Sequence, residues 1–218
     1  MNQLFIRPAL LLAFLSFNAL AVSAQTDLNR SINGLQSRYN RITSLSADFA
    51  QVHIDRGQRE KRESGHLLLK KPGKMKWKYT SPEPKLFISD GKYLYEYAEA
   101  DNYATRSSVA DSEDLRAPFA FLLGQGNLRN EFRRIEFSKE SPITAGNKVL
   151  RFVPRRLQDF EELLIEFDPA NYMMSRLSVI RSSEERSDFL FSNIQENVLT
   201  TSAEFVFEAP PGVEVRDN

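Results

Sequence analysis

Residues Lys74-Met75-Lys76-Trp77-Lys78-Tyr79 alternate charged and apolar side chains without a break. Side chains along a strand point to opposite faces in turn, so this run makes a strand with lysines on one face and Met75, Trp77 and Tyr79 on the other. A helix would scatter the same lysines around its circumference. Neighbouring segments repeat the pattern. Leu45, Ala47 and Phe49 alternate with Ser46 and Asp48, and Leu67 and Leu69 follow the turn signal Arg56-Gly57-Gln58. Ser81-Pro82-Glu83-Pro84 breaks the run after Tyr79. Residues 86–89 and 93–97 are short strands joined by Asp90-Gly91, a hairpin turn, with Tyr93, Tyr95 and Tyr97 on one face.

The second half predicts strands at 131–138, 147–153, 160–167, 172–180 and 187–195, with Asp168-Pro169-Ala170-Asn171 as a turn. Leu163, Ile165 and Phe167 oppose Glu162, Leu164 and Glu166. The tail, Phe205-Val206-Phe207 and then Pro210-Pro211-Gly212, reads as a final short element and a stop.

Two segments leave this period. Leu28, Ile32, Leu35, Tyr39 and Ile42 recur at steps of 4, 3, 4 and 3, an apolar helical stripe with Thr26 or Asp27 as N-cap; Gly34 weakens it. Asp111, Glu113 and Asp114 lead into Ala117-Pro118-Phe119-Ala120-Phe121-Leu122-Leu123, closed by Gly124. Acids first, Pro in the first turn and Gly at the end mark a short helix, apolar all round. About eleven strands with two helical segments give a mostly β (α+β) chain, an antiparallel barrel or strongly curled sheet with the helices packed against it or plugging it.

The ends and the composition narrow the class. Arg7, an apolar run over 8–22 and the small residues of Val22-Ser23-Ala24 have the layout of a signal peptide cleaved after Ala24. This predicts a signal at 1–24 and one soluble domain at 25–218. Lys plus Arg and Asp plus Glu number 29 each, and the signal removes only one arginine. A near-neutral chain does not suggest a nucleic-acid partner. The absence of cysteine argues against a lipid anchor at the cleavage site, thiol catalysis and Cys-ligated metal.

No G-x-S-x-G, H-E-x-x-H, phosphate loop or dinucleotide fingerprint occurs. His53 and His66, the two histidines, lie on separate strands without ligand spacing, and Glu161-Glu162 point to opposite faces. No catalytic residue, cofactor or metal is expected. What remains is apolar surface. A curled sheet with a Met75/Trp77/Tyr79 face, and a short helix bearing Phe119, Phe121, Leu122 and Leu123, describes an apolar cavity with a cover. Met suits a wall that must repack around varied ligands.

Four stretches in order resemble one family. They are Ser46-Ala47-Asp48-Phe49-Ala50-Gln51 after the helix; Lys70-Lys71-Pro72-Gly73-Lys74-Met75-Lys76-Trp77-Lys78-Tyr79 with Pro82 and 89–97; 118–123; and 205–215. The chain resembles the LolA family of periplasmic outer-membrane lipoprotein carriers from about Asp27 to Val215. The resemblance implies a half-open barrel of about eleven antiparallel strands with helices in its mouth. It implies acylated lipoproteins as cargo, taken from an inner-membrane ABC-type transporter and given to an outer-membrane receptor. It also implies a monomer working in the periplasm. The lipid-binding cavity and its cover would be Lys71, Met75, Trp77, Tyr79, Phe119, Phe121, Leu122 and Leu123.

The sequence departs from the family at the residue before Pro72, usually an arginine that hydrogen-bonds the helical cover. Here it is Lys71, which has three rotatable donors in place of a rigid fork of five, so the cover should be held less firmly. Met75 stands where an aromatic is common. Three other readings compete: a carrier or sensor of another amphiphile on the same fold, a secreted Glu/Asp hydrolase, and a structural envelope protein with a filled core.

Overall fold

The computed structural model describes the backbone of residues 11–109, 126–156 and 160–218, and side chains from Gln25 onward. In chain order the elements are α1 (Leu11–Arg41), β1 (Ser44–Ile54), β2 (Glu60–Lys70), β3 (Lys74–Ser81), β4 (Lys85–Asp90), β5 (Tyr93–Ala98) and β6 (Tyr103–Ser108). The short α2 (Leu128–Glu131), β7 (Phe132–Phe137), β8 (Lys148–Pro154), β9 (Glu162–Phe167), β10 (Met174–Ser182), β11 (Glu185–Glu196) and β12 (Glu214–Asp217) follow.

All twelve strands form one sheet in the order β12-β6-β5-β4-β3-β2-β1-β11-β10-β9-β8-β7. Every neighbour pair is antiparallel except β12 on β6, which is parallel. The end strands β12 and β7 do not pair with each other, so the sheet is open. Local chemistry sets the hairpins. In the β4–β5 turn the Asp90 carboxylate accepts the Lys92 and Tyr93 amides at 2.7 and 2.8 Å, while Gly91 takes φ +98. At β1–β2 the Asp55 carboxylate accepts the Gly57 and Arg59 amides.

The structure corrects several expectations. Thr26 and Asp27 do not cap the first helix, because α1 runs unbroken from Leu11; the apolar run before them is itself helical, and Asp27 instead pairs with Lys148 at 2.6 Å. The described residues hold twelve strands, in keeping with the expected eleven or so, and the one the alternation pattern misses is β6. β6 escapes a period-two reading because Tyr-Ala-Thr-Arg-Ser-Ser carries no apolar alternation. The tail at 205–207 is not the last element: a 3-10 turn spans Ala203–Phe205, and β12 follows the Pro-Gly stop. The expected helix at 111–123, with Phe119, Phe121, Leu122 and Leu123, lies outside the described residues. Among the described residues no helix is long and apolar enough to cross a membrane.

The α1 stripe packs as its spacing predicts. Ile32, Leu35, Tyr39 and Ile42 are buried in the main core with Leu67, Trp77, Leu150 and Leu177 of the sheet. Gly34 has a reason to be there. A Cβ at that position would lie 2.3 Å from the Tyr172 ring, which stacks on Phe167 with centroids 6.2 Å apart. On an open helix Gly→Ala adds about 1 kcal/mol of stability. Here Gly34→Ala should lower it by about 1 kcal/mol, since overpacking costs about 1–3 kcal/mol; a raised melting temperature would contradict the packing of Tyr172 on α1.

Candidate functional site

Register places the side chains. Trp77 sits opposite Leu67 and Phe87, and Leu67 opposite Ala47; Met75 sits opposite Leu69, and Tyr79 opposite Gly65. These share the inner face, the one that packs α1. Lys74, Lys76 and Lys78 share the outer face with His66, Leu68 and Ile88. Met75 and Trp77 are 1 % and 2 % exposed. Phe49 holds the wall together, edge-on to Trp77 at 5.1 Å and to Tyr79 at 4.9 Å, and Trp77 is edge-on to Phe189 at 5.4 Å. Such pairs add about 0.5–1.5 kcal/mol each beyond burial. The β2 backbone needs Gly65 here, since a Cβ would lie 1.9 Å from the Lys78 carbonyl oxygen.

The tyrosines of β5 belong to the other face. Tyr95 and Tyr97 pack on Phe207, at 5.1 and 6.1 Å, beneath the C-terminal segment. Phe205 of that segment is fully buried and anchors it against β3 and β4.

Between α1 and the sheet lies an apolar cavity of about 10 Å³, lined by Tyr39, Leu45, Leu67, Met174, Phe191 and Ile194 among others. It is about the size of one ordered water. Here α1 lies over the wall. The last turn of α1 is tied down on several sides. Lys71 Nζ donates to the Tyr39 carbonyl, and the Lys71 amide to the Thr43 carbonyl at 2.8 Å. Arg38 pairs with Glu196 at 2.5 Å and donates to the Asn171 carbonyl at 2.7 Å. The Tyr39 hydroxyl accepts the Met174 amide at 3.0 Å. Burial lowers the Lys71 pKa.

One end of the inner face is polar, which the alternation pattern alone does not announce. Glu63, buried, lies 2.5 Å from Lys85 and 3.1 Å from Lys61. Burial pushes its carboxyl up, but the two ammonium groups outweigh that and hold it below its usual range. Tyr79 donates to Gln51 at 2.6 Å, and its burial, with the Glu63 charge, raises its phenol. His53 Nδ1 lies 2.8 Å from Ser187 Oγ. The available signal was parity: Glu63 shares its strand position with Gly65, Leu67 and Leu69. His66 pairs with Asp48 on the outer face, so the two histidines are on opposite sides of the sheet. Glu162 pairs with Arg151 on the outer face.

An open sheet whose inner face is aromatic and aliphatic, covered by a tethered helix, puts the chain in the class of open β folds built around an apolar inner face. Comparison with known proteins narrows that class. Residues 40–208 match the family described as outer membrane lipoprotein carrier protein LolA, and the chain belongs to that family. A Bordetella avium outer-membrane lipoprotein carrier protein is 30% identical over 94% of this chain and 92% of its own length. One from Coxiella burnetii (strain CbuK_Q154) is 28% identical over 99% of each. The crystal structure of an uncharacterized conserved protein from Thermus thermophilus superposes with TM-score 0.53 at 14% identity, covering 90% of this chain and 99% of that one, a likeness of fold.

Proposed function

We propose that the protein is a periplasmic chaperone for lipoproteins. It encloses their acyl chains, receives them from an inner-membrane ABC-type transporter and passes them to an outer-membrane receptor. It acts by binding and release, without catalysis. The observation that carries this reading is the apolar inner face covered by α1 in a chain of the LolA family. The export signal over 1–24, cut after Ala24, supports a periplasmic site of action.

Energetics call for such enclosure. Each buried CH₂ is worth about 0.8 kcal/mol, so one long acyl chain costs on the order of 10 kcal/mol to expose to water. Between α1 and the wall the space is about 10 Å³, so an acyl chain that enters there displaces α1. Lys71, Met75, Trp77 and Tyr79 then have separate roles. Lys71 latches the end of α1, while the other three form wall. The apolar residues Phe119, Phe121, Leu122 and Leu123 add to the cover.

Losing a charged hydrogen bond costs about 1.5–3 kcal/mol. Lys71→Leu should therefore raise the open fraction about ten- to a hundredfold, read as faster uptake of a fluorescent acyl probe. Unchanged uptake would remove Lys71 from the latch.

The decisive test incubates the exported protein with spheroplasts. Lipoproteins should appear in soluble complex with it. If none is released while mass spectrometry finds another amphiphile bound, the cargo is that amphiphile and the lipoprotein reading fails.

A further inference from the structure

The outer face of β2 and β3 has a property that enclosing cargo does not use. Lys70, Lys74, Lys76 and Lys78 stand there together, and among the described residues no carboxylate lies within ion-pair distance of them. Lys74, Lys76 and Lys78 repeat roughly every 7 Å along the strand. The whole chain carries formal charge +0, so this patch is a segregation of charge and not a general basicity. Acids lie at its edge, with Asp90 opposite Lys74 in register and Asp48 beside His66, but Lys76 and Lys78 face only Leu68, Ile88, His66 and Leu86 across the neighbouring strands.

The C-terminal segment crosses the same face. Lys70 Nζ donates to the Thr200 carbonyl at 2.7 Å and Lys74 Nζ to Ser202 Oγ at 2.9 Å. Those bonds set Leu199 beside the lysines with its side chain wholly in solvent, 102% exposed, and Val206 is 53% exposed on the same segment. Phe205, between them and the sheet, is fully buried.

We propose that this outer face docks the protein onto an anionic lipid bilayer. Lysines near such a surface are attracted by its negative potential, and exposed apolar tips beside them enter the interfacial layer. An acidic protein would satisfy Lys76 and Lys78 but gives Leu199 no role. The patch lies on the opposite face of the sheet from Trp77, so docking and cargo binding are separable. For a carrier that must meet two membranes, surface attachment shortens the search for its partners, and it needs no contact with the cargo wall.

Co-sedimentation of protein isolated from the periplasm with phosphatidylglycerol-containing vesicles tests this, with pure phosphatidylcholine vesicles as reference. Binding should be at least about tenfold tighter to the anionic vesicles and should weaken with salt. The pair Lys76→Glu and Lys78→Glu should cost about tenfold or more, and Leu199→Asp should remove the part that survives high salt. Acyl-probe binding by these variants, followed through Trp77 fluorescence, should be unchanged, which certifies folding. Equal binding to both vesicle types, no binding to either, or full binding by the charge-reversed protein would overturn the proposal. The spheroplast result leaves this test unaffected.

Discussion

Trp77→Ala is expected to lower the unfolding free energy by about 3–5 kcal/mol, the cost of emptying a large aromatic site in a packed core. Trp77 is 2 % exposed and touches both Phe49 and Phe189 edge-on, so its removal also breaks the contacts that align the wall. The surrounding strands are paired on both sides, which limits collapse into the space left. Its neighbour on the same strand gives the control. Lys76 faces outward, and Lys76→Ala should fall within about 0.5 kcal/mol of wild type. Urea unfolding should be followed by far-UV circular dichroism, because Trp77 is the single tryptophan. A loss below about 1 kcal/mol for Trp77→Ala would mean that the inner face is loosely packed even when closed.

That contrast also shows what the sequence makes legible. Alternation over 74–79 separates Met75, Trp77 and Tyr79 from the lysines because one face is wet and the other packs a helix. The α1 stripe is legible for the same reason at a different period. Asp90-Gly91 specifies its hairpin locally. What stays hidden depends on partners far along the chain. Lys71 finds the Tyr39 carbonyl, a backbone atom with no side-chain signature. Ala104 is wholly buried although β6 looks polar, because the tail that covers this side of the sheet returns from beyond residue 198. Glu63 lies inside because Lys61 and Lys85 accompany it. Glu166 reads as solvent-facing, yet it is 1% exposed.

Glu166→Ala should cost about 3 kcal/mol, since it takes one of two carboxylates from a buried guanidinium and leaves two backbone amides without their acceptor. Arg176, whose side chain is 4% exposed, lies 3.1 Å from Glu166 and 2.5 Å from Glu140. The Glu166 carboxylate also accepts the Ile143 and Thr144 amides, both at 2.9 Å, which folds the 138–147 loop back over the outer face of β9 and β10. Burial alone would raise the Glu166 pKa, but those amides, Asn147 and Arg176 together lower it. Glu140 is held at about 2, chiefly by Arg186, with Arg176 adding to this against burial. Both carboxyls are thus more acidic folded than unfolded, so their stabilisation is complete above about pH 5 and drains away as pH falls towards about 2. Unfolding free energy should be level from neutral pH to about 5 and then decline, with a shallower decline in Glu166→Gln. Replacing Glu166 and Arg176 together by Leu and Met should cost far less than Glu166→Ala, because well-packed apolar pairs often match a buried ion pair. If the double replacement proves as damaging as the single one, what matters is the seating of the 138–147 loop by the two backbone amides, and the Glu166–Arg176 attraction is secondary to it.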